Sequence, residues 1–139
     1  MSGIVLDTHV LVWLLGADPR LGPLARALVA EAARQADVSF AAISAWEIAM
    51  LVSKGRLELD RDVLAWLTAA ARLPGFRMAP LSLDISVDSA RLPEGMHGDP
   101  SDRLIVATAR RLGAVLVTAD RALIDYAAAG HVEVHPAGR

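Results

Sequence analysis

The chain of 139 residues contains no cysteine. This excludes disulfide scaffolds, thiolate nucleophiles, iron–sulfur clusters and cysteine-ligated zinc, so any metal must be held by oxygen or imidazole. A long apolar run is also missing. The longest strongly apolar stretch, residues 10–15, is far short of the ~20 residues of a membrane-spanning helix. The mean hydropathy of +0.39 is inflated by alanine. Neither sign of charge dominates, since 14 Lys and Arg stand against 16 Asp and Glu for a net charge of −2. That is not the basic balance of a protein that grips nucleic acid through its phosphates, so any such contact is local or metal-assisted. Asp7 interrupts the first apolar segment, no basic residue precedes it and no small-residue cleavage site follows. The expectation is a chain with no secretion signal or membrane association and a cytoplasmic address. What is present, 54% hydrophobic and 22% charged residues without a low-complexity linker or repeat, predicts one folded domain over residues 1–139.

Short apolar runs alternate with helical patterns. Residues 3–6 are an unbroken apolar run with β-branched members, as in a strand buried on both faces of a parallel sheet. Residues 9–15 predict one or two buried helical turns before the break at 16–19. Gly22-Pro23 opens a helix with Leu24, Leu28 and Ala32 at helical spacing, ending near Gln35. A strand at 38–41 is followed by a helix that Ser44 and Glu47 open as a capping box. Residues 62–72 predict another helix, 78–81 a strand whose Pro80 marks an edge or an end, and 84–92 a further helix. Asp99-Pro100 then caps a helix with Leu104, Ile105, Thr108, Ala109 and Leu112 on one face, ending at Gly113. A strand at 114–117, a helix at 120–129 and an edge strand at 132–134 complete the pattern.

Such alternation implies right-handed crossovers and a parallel sheet covered on both faces, with ligands bound beyond the carboxyl ends of its strands. Asp7, Glu47, Asp102 and Asp120 all fall near such ends or in the first turn of a helix. Each has a local explanation, because Asp7, Asp99 and Asp120 suit N-caps, and Glu47 and Asp102 suit the N3 position of a capping box. Their convergence needs more, since like charges ~5 Å apart repel by about 3 kcal/mol at an effective dielectric near ~20. Protonation or a divalent cation would offset that repulsion, and an all-carboxylate set favours Mg²⁺ or Mn²⁺ over zinc.

Four motifs occur in order: Val5-Leu6-Asp7-Thr8-His9, Ser44-Ala45-Trp46-Glu47-Ile48-Ala49, His97-Gly98-Asp99-Pro100-Ser101-Asp102-Arg103-Leu104-Ile105 and Leu116-Val117-Thr118-Ala119-Asp120. Together they closely resemble the PIN-domain ribonucleases, and within these the VapC toxins of bacterial toxin–antitoxin pairs, over nearly the whole chain. The resemblance implies an α/β/α sandwich around a mainly parallel sheet of about four to five strands. It further implies a divalent-metal endoribonuclease that leaves 5′-phosphate and 3′-hydroxyl ends, and a homodimer neutralised by an antitoxin. Carried over by residue, Asp7, Glu47, Asp102 and Asp120 match the acidic quartet, with Asp7 and Asp120 on Mg²⁺ (or Mn²⁺) and Glu47 and Asp102 on its waters or a second ion. Asp99 is an auxiliary ligand, and Thr118 matches a hydroxyl that bonds an acid or a metal water, with Thr8 and Ser44 as weaker candidates. The chain departs from relatives that carry a lysine after Trp-Glu-Ile-Ala: Met50-Leu51 stand there, and Lys54 is the sole lysine.

Other marked residues have plainer readings. Arg103 either balances the acids or approaches an RNA phosphate, and Lys54 and His97 are further substrate-side candidates. His9 and His97 flank Asp7 and Asp99. Trp13, Trp46 and Trp66 read as core or dimer-interface residues. His131 and His135 bracket a predicted strand, which argues against a shared zinc. Of three rivals, two are disfavoured by residues the chain lacks and one remains. A phosphorelay receiver domain needs adjacent acids after its first strand, and an aspartyl phosphatase needs an acid where His9 stands. A non-catalytic partner-binding module would use the acids only as caps.

Overall fold

The structure, a computed structural model, describes residues 3–138. In chain order the elements are β1 (Ile4–Leu6), α1 (Thr8–Leu15), α2 (Pro23–Arg34), β2 (Val38–Ala41), α3 (Ala42–Ser53) and α4 (Val63–Ala71). They continue with β3 (Phe76–Ala79), α5 (Leu83–Ala90), α6 (Pro100–Leu112), β4 (Val115–Thr118), α7 (Arg121–Ala127) and β5 (Val134–Pro136). The strands form one five-stranded sheet in the order β3-β2-β1-β4-β5, and every pairing is parallel. Helices cover both faces, so the expected α/β/α sandwich is observed.

The period-two geometry of a strand divides the core. Ile4, Leu6, Val38, Phe40 and Val117 point to one side, against Val10 and Leu11 of α1, Ala25, Val29 and Ala32 of α2, Trp66 and Ala70 of α4, and Ile48 of α3. Val5 and Leu116 point to the other, against Ile105, Val106 and Ala109 of α6 and Leu123 and Tyr126 of α7. The central strand β1 is fully apolar because both of its faces are covered. In α6, Asp99 accepts from the Asp102 amide and Pro100 occupies the first turn, while Gly113 takes the left-handed conformation at φ 62° that ends the helix.

Several local expectations are corrected. The third helix begins at Ala42, not Ser44, so Ser44 lies inside it, fully buried, and Glu47 sits in its second turn; no capping box forms. Ser44 and Ile48, four apart, face inward, which turns Trp46 outward at 57% exposure, so of the two expected places, core or dimer interface, the core is excluded. In α2 the buried face is Ala25, Val29 and Ala32, one residue round from the face expected through Leu24, which is exposed. The β3 strand covers Phe76–Ala79 and stops before Pro80. The last strand lies two residues later than expected, with Leu116 opposite Val134 and Thr118 opposite Pro136. Proline is tolerated there because β5 is an edge strand, and Val132 is instead buried in the core beside α6 and α7.

Candidate active site

The winding direction fixes where a site forms. From β1 the chain moves outward to β2 and β3, then returns to the other side of β1 to lay down β4 and β5. The crossovers therefore diverge at the carboxyl ends of β1 and β4, which opens the crevice where parallel α/β sheets bind ligands. Asp7 follows β1 and Asp120 lies two residues beyond β4.

Asp7 is the N-cap of α1, and its Oδ1 accepts from the Thr8 amide at 2.8 Å. Its own amide donates to Val117 O at 3.0 Å, which locks the residue to β4. The Thr118 hydroxyl donates to Asp7 Oδ2 at 2.5 Å and accepts from the Asp120 amide at 3.0 Å. One side chain thus sets two acids. Asp120 in turn caps α7 through Ala122 N at 2.8 Å. Across the crevice, the Thr8 hydroxyl donates to Glu47 Oε1 at 2.6 Å and lies 2.9 Å from Ser44 Oγ, so the start of α1 is tied to α3. The start of α6 supplies Asp99, which accepts from the Asp102 amide at 3.1 Å, and Asp102 itself. His97 Nε2 is 3.2 Å from Asp102 Oδ2.

These groups surround a cavity of about 390 Å³ lined by Asp7, Thr8, His9, Trp13, Glu47, Asp99, Asp102, Ala119 and Asp120. Among the described residues no lysine or arginine lines it. The electrostatic result is strain on the carboxylates. Burial raises Asp7 above the usual carboxylate range, although the Thr118 hydroxyl and Thr8 amide oppose the shift. Burial also raises Glu47, with Asp7 and Asp99 adding repulsion against the lowering bond from Thr8. Asp102 is pushed up to about 7, first by burial and then by the charges of Asp99, Asp7, Asp120 and Glu47.

Among the described residues, no three acidic or imidazole side chains form a ready-made metal ligand set. The donor chemistry nevertheless fits a hard divalent cation: several mutually repelling carboxylates share one cavity with no thiol and, among the described residues, no neutralising arginine or lysine.

The structure gathers Asp7, Glu47, Asp99, Asp102, Asp120 and Thr8 around the cavity. It places Thr118 and Ser44 directly behind the acids. His97 touches Asp102 without lining the cavity, and Lys54 stands exposed at the far end of α3. Arg103 is engaged with backbone carbonyls rather than with an acid. Its guanidinium donates to the carbonyls of Ser89 at 2.8 Å, His97 at 3.2 Å and Met96 at 3.4 Å. Trp13, expected as a core or dimer-interface residue, does pack against the core and is also a wall of the cavity, with Arg20 stacked over its ring at 5.0 Å. Its spacing of four from His9, another lining residue, is the sequence signal that places it there.

Fold and site together define a class: parallel α/β proteins with a carboxylate-lined crevice at the point where the sheet reverses its winding. Residues 4–129 match the PIN domain family. Ribonuclease VapC22 of Mycobacterium tuberculosis (strain ATCC 25618 / H37Rv) is 37% identical over 124 residues, 88% of this chain and 91% of that protein. The chain belongs to the PIN-domain family, in its VapC branch. Two solved structures share the fold. VapBC2 from Rickettsia felis, bound to a promoter DNA fragment, has a TM-score of 0.70 at 17% identity over 96% of this chain and 97% of its own. VapBC-5 from Mycobacterium tuberculosis, of the VapBC family of toxin-antitoxin systems, has a TM-score of 0.64 at 21% identity over 98% and 99%.

Proposed function

We propose that the protein is a divalent-metal-dependent endoribonuclease, the toxin of a toxin–antitoxin pair, that hydrolyses RNA to 5′-phosphate and 3′-hydroxyl ends. The observation that carries the reading is the crowding of Asp7, Glu47, Asp99, Asp102 and Asp120 about one cavity, where burial first and the neighbouring charges second push Asp102 up to about 7. The nuclease named among the relatives supports the reaction, and the toxin–antitoxin structures sharing this fold support an antitoxin partner. A homodimer and a cytoplasmic location belong to the same proposal. Among the described residues, no helix is long and apolar enough to cross a membrane.

Asp7 and Asp120 would hold the ion, Mg²⁺ or Mn²⁺, with Glu47 and Asp102 orienting its waters or a second ion. When bound, a divalent ion supplies an activated water nucleophile and stabilises charge on the phosphoryl oxygens. The chain's own part is positioning. Thr118 fixes Asp7 relative to Asp120, and Thr8 fixes Glu47. The Trp13 ring gives the crevice an apolar wall.

Helix capping accounts for Asp7, Asp99 and Asp120, whose side chains do accept helix amides. It does not account for Glu47, which accepts from the Thr8 hydroxyl, nor for Asp102, whose side chain faces His97 rather than a helix amide among the described residues. That difference disfavours the non-catalytic module. The test is cleavage of total bacterial RNA with Mg²⁺ or Mn²⁺, with EDTA and Asp7→Asn as controls and mapping of the fragment ends. Discrete cuts with 5′-phosphates that vanish in both controls are expected. Equal inertness of folded wild type and variant would favour the binding module.

A further inference from the structure

His97 lies in the segment between α5 and α6 and points back at the site. The Asp99 amide donates to His97 Nδ1 at 3.2 Å. A ring nitrogen that accepts an N–H carries no proton, so the hydrogen-bond network assigns the neutral imidazole proton to Nε2. That nitrogen is buried and, among the described residues, has no well-aligned hydrogen-bond partner. It nevertheless sits 3.2 Å from Asp102 Oδ2, within ion-pair reach but off the line of a hydrogen bond.

The backbone that carries the ring is pinned from three elements. Arg103 of α6 donates to the carbonyls of His97 and Met96, and its Nε donates to Ser89 O in α5. The Tyr126 hydroxyl of α7 donates to Pro93 O at 2.9 Å. This explains why Arg103 is turned away from the acids: it holds the loop that presents His97. The motif His97-Gly98-Asp99-Pro100-Ser101-Asp102-Arg103 therefore acts as one unit, with a cap, a ring, an acid and a tether.

We propose that His97 is a positioning residue for Asp102, its Nε2–H fixing the orientation in which that carboxylate faces the cavity. The proposal rests on the reading of the acids as a cation site, because an imidazole that orients a carboxylate matters most when the carboxylate must meet an ion or its waters.

The two ring nitrogens have separate jobs, and two substitutions separate them. Gln places an amide N–H near the position of Nε2 and keeps the donor to Asp102. Asn places a carbonyl oxygen near the position of Nδ1 and keeps only the acceptor for the Asp99 amide. Mn²⁺ affinity, read by calorimetric titration without RNA, should fall about 10- to 100-fold in His97→Ala and His97→Asn. It should stay within about 3-fold of wild type in His97→Gln, the size of loss that leaves the donor effectively intact. Thermal melting of the metal-free proteins should show the reverse order, with His97→Asn nearer wild type than His97→Gln. On RNA, kcat should follow Mn²⁺ affinity while KM stays near wild type.

If affinity instead follows melting temperature, with Asn as good as wild type and Gln as poor as Ala, His97 only caps the loop and the proposal fails. Unchanged affinity in all three variants also overturns it. A wild-type protein that takes up no Mn²⁺ overturns both this proposal and the cation-site reading beneath it.

Discussion

The Thr118 hydroxyl has one proton, given to Asp7 Oδ2, and a lone pair, given to the Asp120 amide. Thr118→Val keeps the shape and removes both bonds, leaving a buried acceptor and an amide without their partner. A loss of about 1–3 kcal/mol in stability follows. RNA cleavage should drop about 10-fold, the lower range for a group that orients a ligand. Thr118→Ser should restore both, as denaturant melts and cleavage rates would show; a Val variant with full activity would detach Thr118 from the site. Asp7→Asn behaves oppositely. Cleavage should fall about 1,000-fold, the equivalent of several kcal/mol of transition-state stabilisation. Metal-free stability should change little, because relief of a carboxylate whose charge burial opposes is offset by an amide that has one acceptor oxygen for the two donors, Thr8 N–H and the Thr118 hydroxyl. Asp7, Asp99, Asp102 and Asp120 were legible in the sequence because each sits next to a strand end or a helix start, whereas Glu47 was marked by a capping-box spacing that the structure does not use. Where Arg103 points was not, since its partners Ser89, Met96 and His97 are gathered by loop packing that no local pattern encodes.

Elements were legible where a boundary is marked by a residue that can do little else. Asp99-Pro100 and Gly113 bracket α6, and Pro23 starts α2. Boundaries slipped where two readings fit. Ser44 and Glu47 have capping-box spacing, but the buried strand runs straight into α3 at Ala42, and tertiary bonds to Thr8 claim both side chains. The β5 strand slipped by two residues because Val132 and Val134 are equally strand-like, and pairing to β4 decides between them. Gly75 shows how far an element boundary lies from the chemistry. It has φ +85°, and a Cβ there would come within 2.2 Å of Ala33 O at the end of α2. Gly75→Ala should therefore cost about 3 kcal/mol or more, from left-handed strain plus a backbone clash. Gly75 precedes β3, at the end of the sheet opposite the acids. Activity per folded molecule, measured well below the lowered melting temperature, should stay near wild type. A proportionate loss of kcat would show that the sheet transmits strain to the crevice.

At the scale of the whole molecule, a net charge of −2 conceals the concentration of five carboxylates in one cavity. Folding brings these groups together and the unfolded chain separates them, so their repulsion is a global stability term. Asp102 titrates at about 7 in the folded protein against 3.8 as a free side chain. Between those values the folded state holds a proton that the unfolded state has released, and stability falls as pH rises through that window. Asp7 and Glu47, also raised, act in the same direction. Because Asp102 is only half-buried, solvent screening reduces the effect to about 1–2 kcal/mol. That corresponds to about 3–8 °C in melting temperature. In EDTA the protein should melt higher at pH 5 than at pH 7.5, and Asp102→Asn should remove most of the difference by raising the pH 7.5 value. Saturating Mg²⁺ or Mn²⁺ should have the larger stabilising effect at pH 7.5, because a cation binds the ionised cluster of the folded state and not the dispersed acids of the unfolded chain. A melting temperature that rises from pH 5 to 7.5 in EDTA would mean that the carboxylates are relieved without a cation, and the reading of the crevice as a metal site would lose its electrostatic basis.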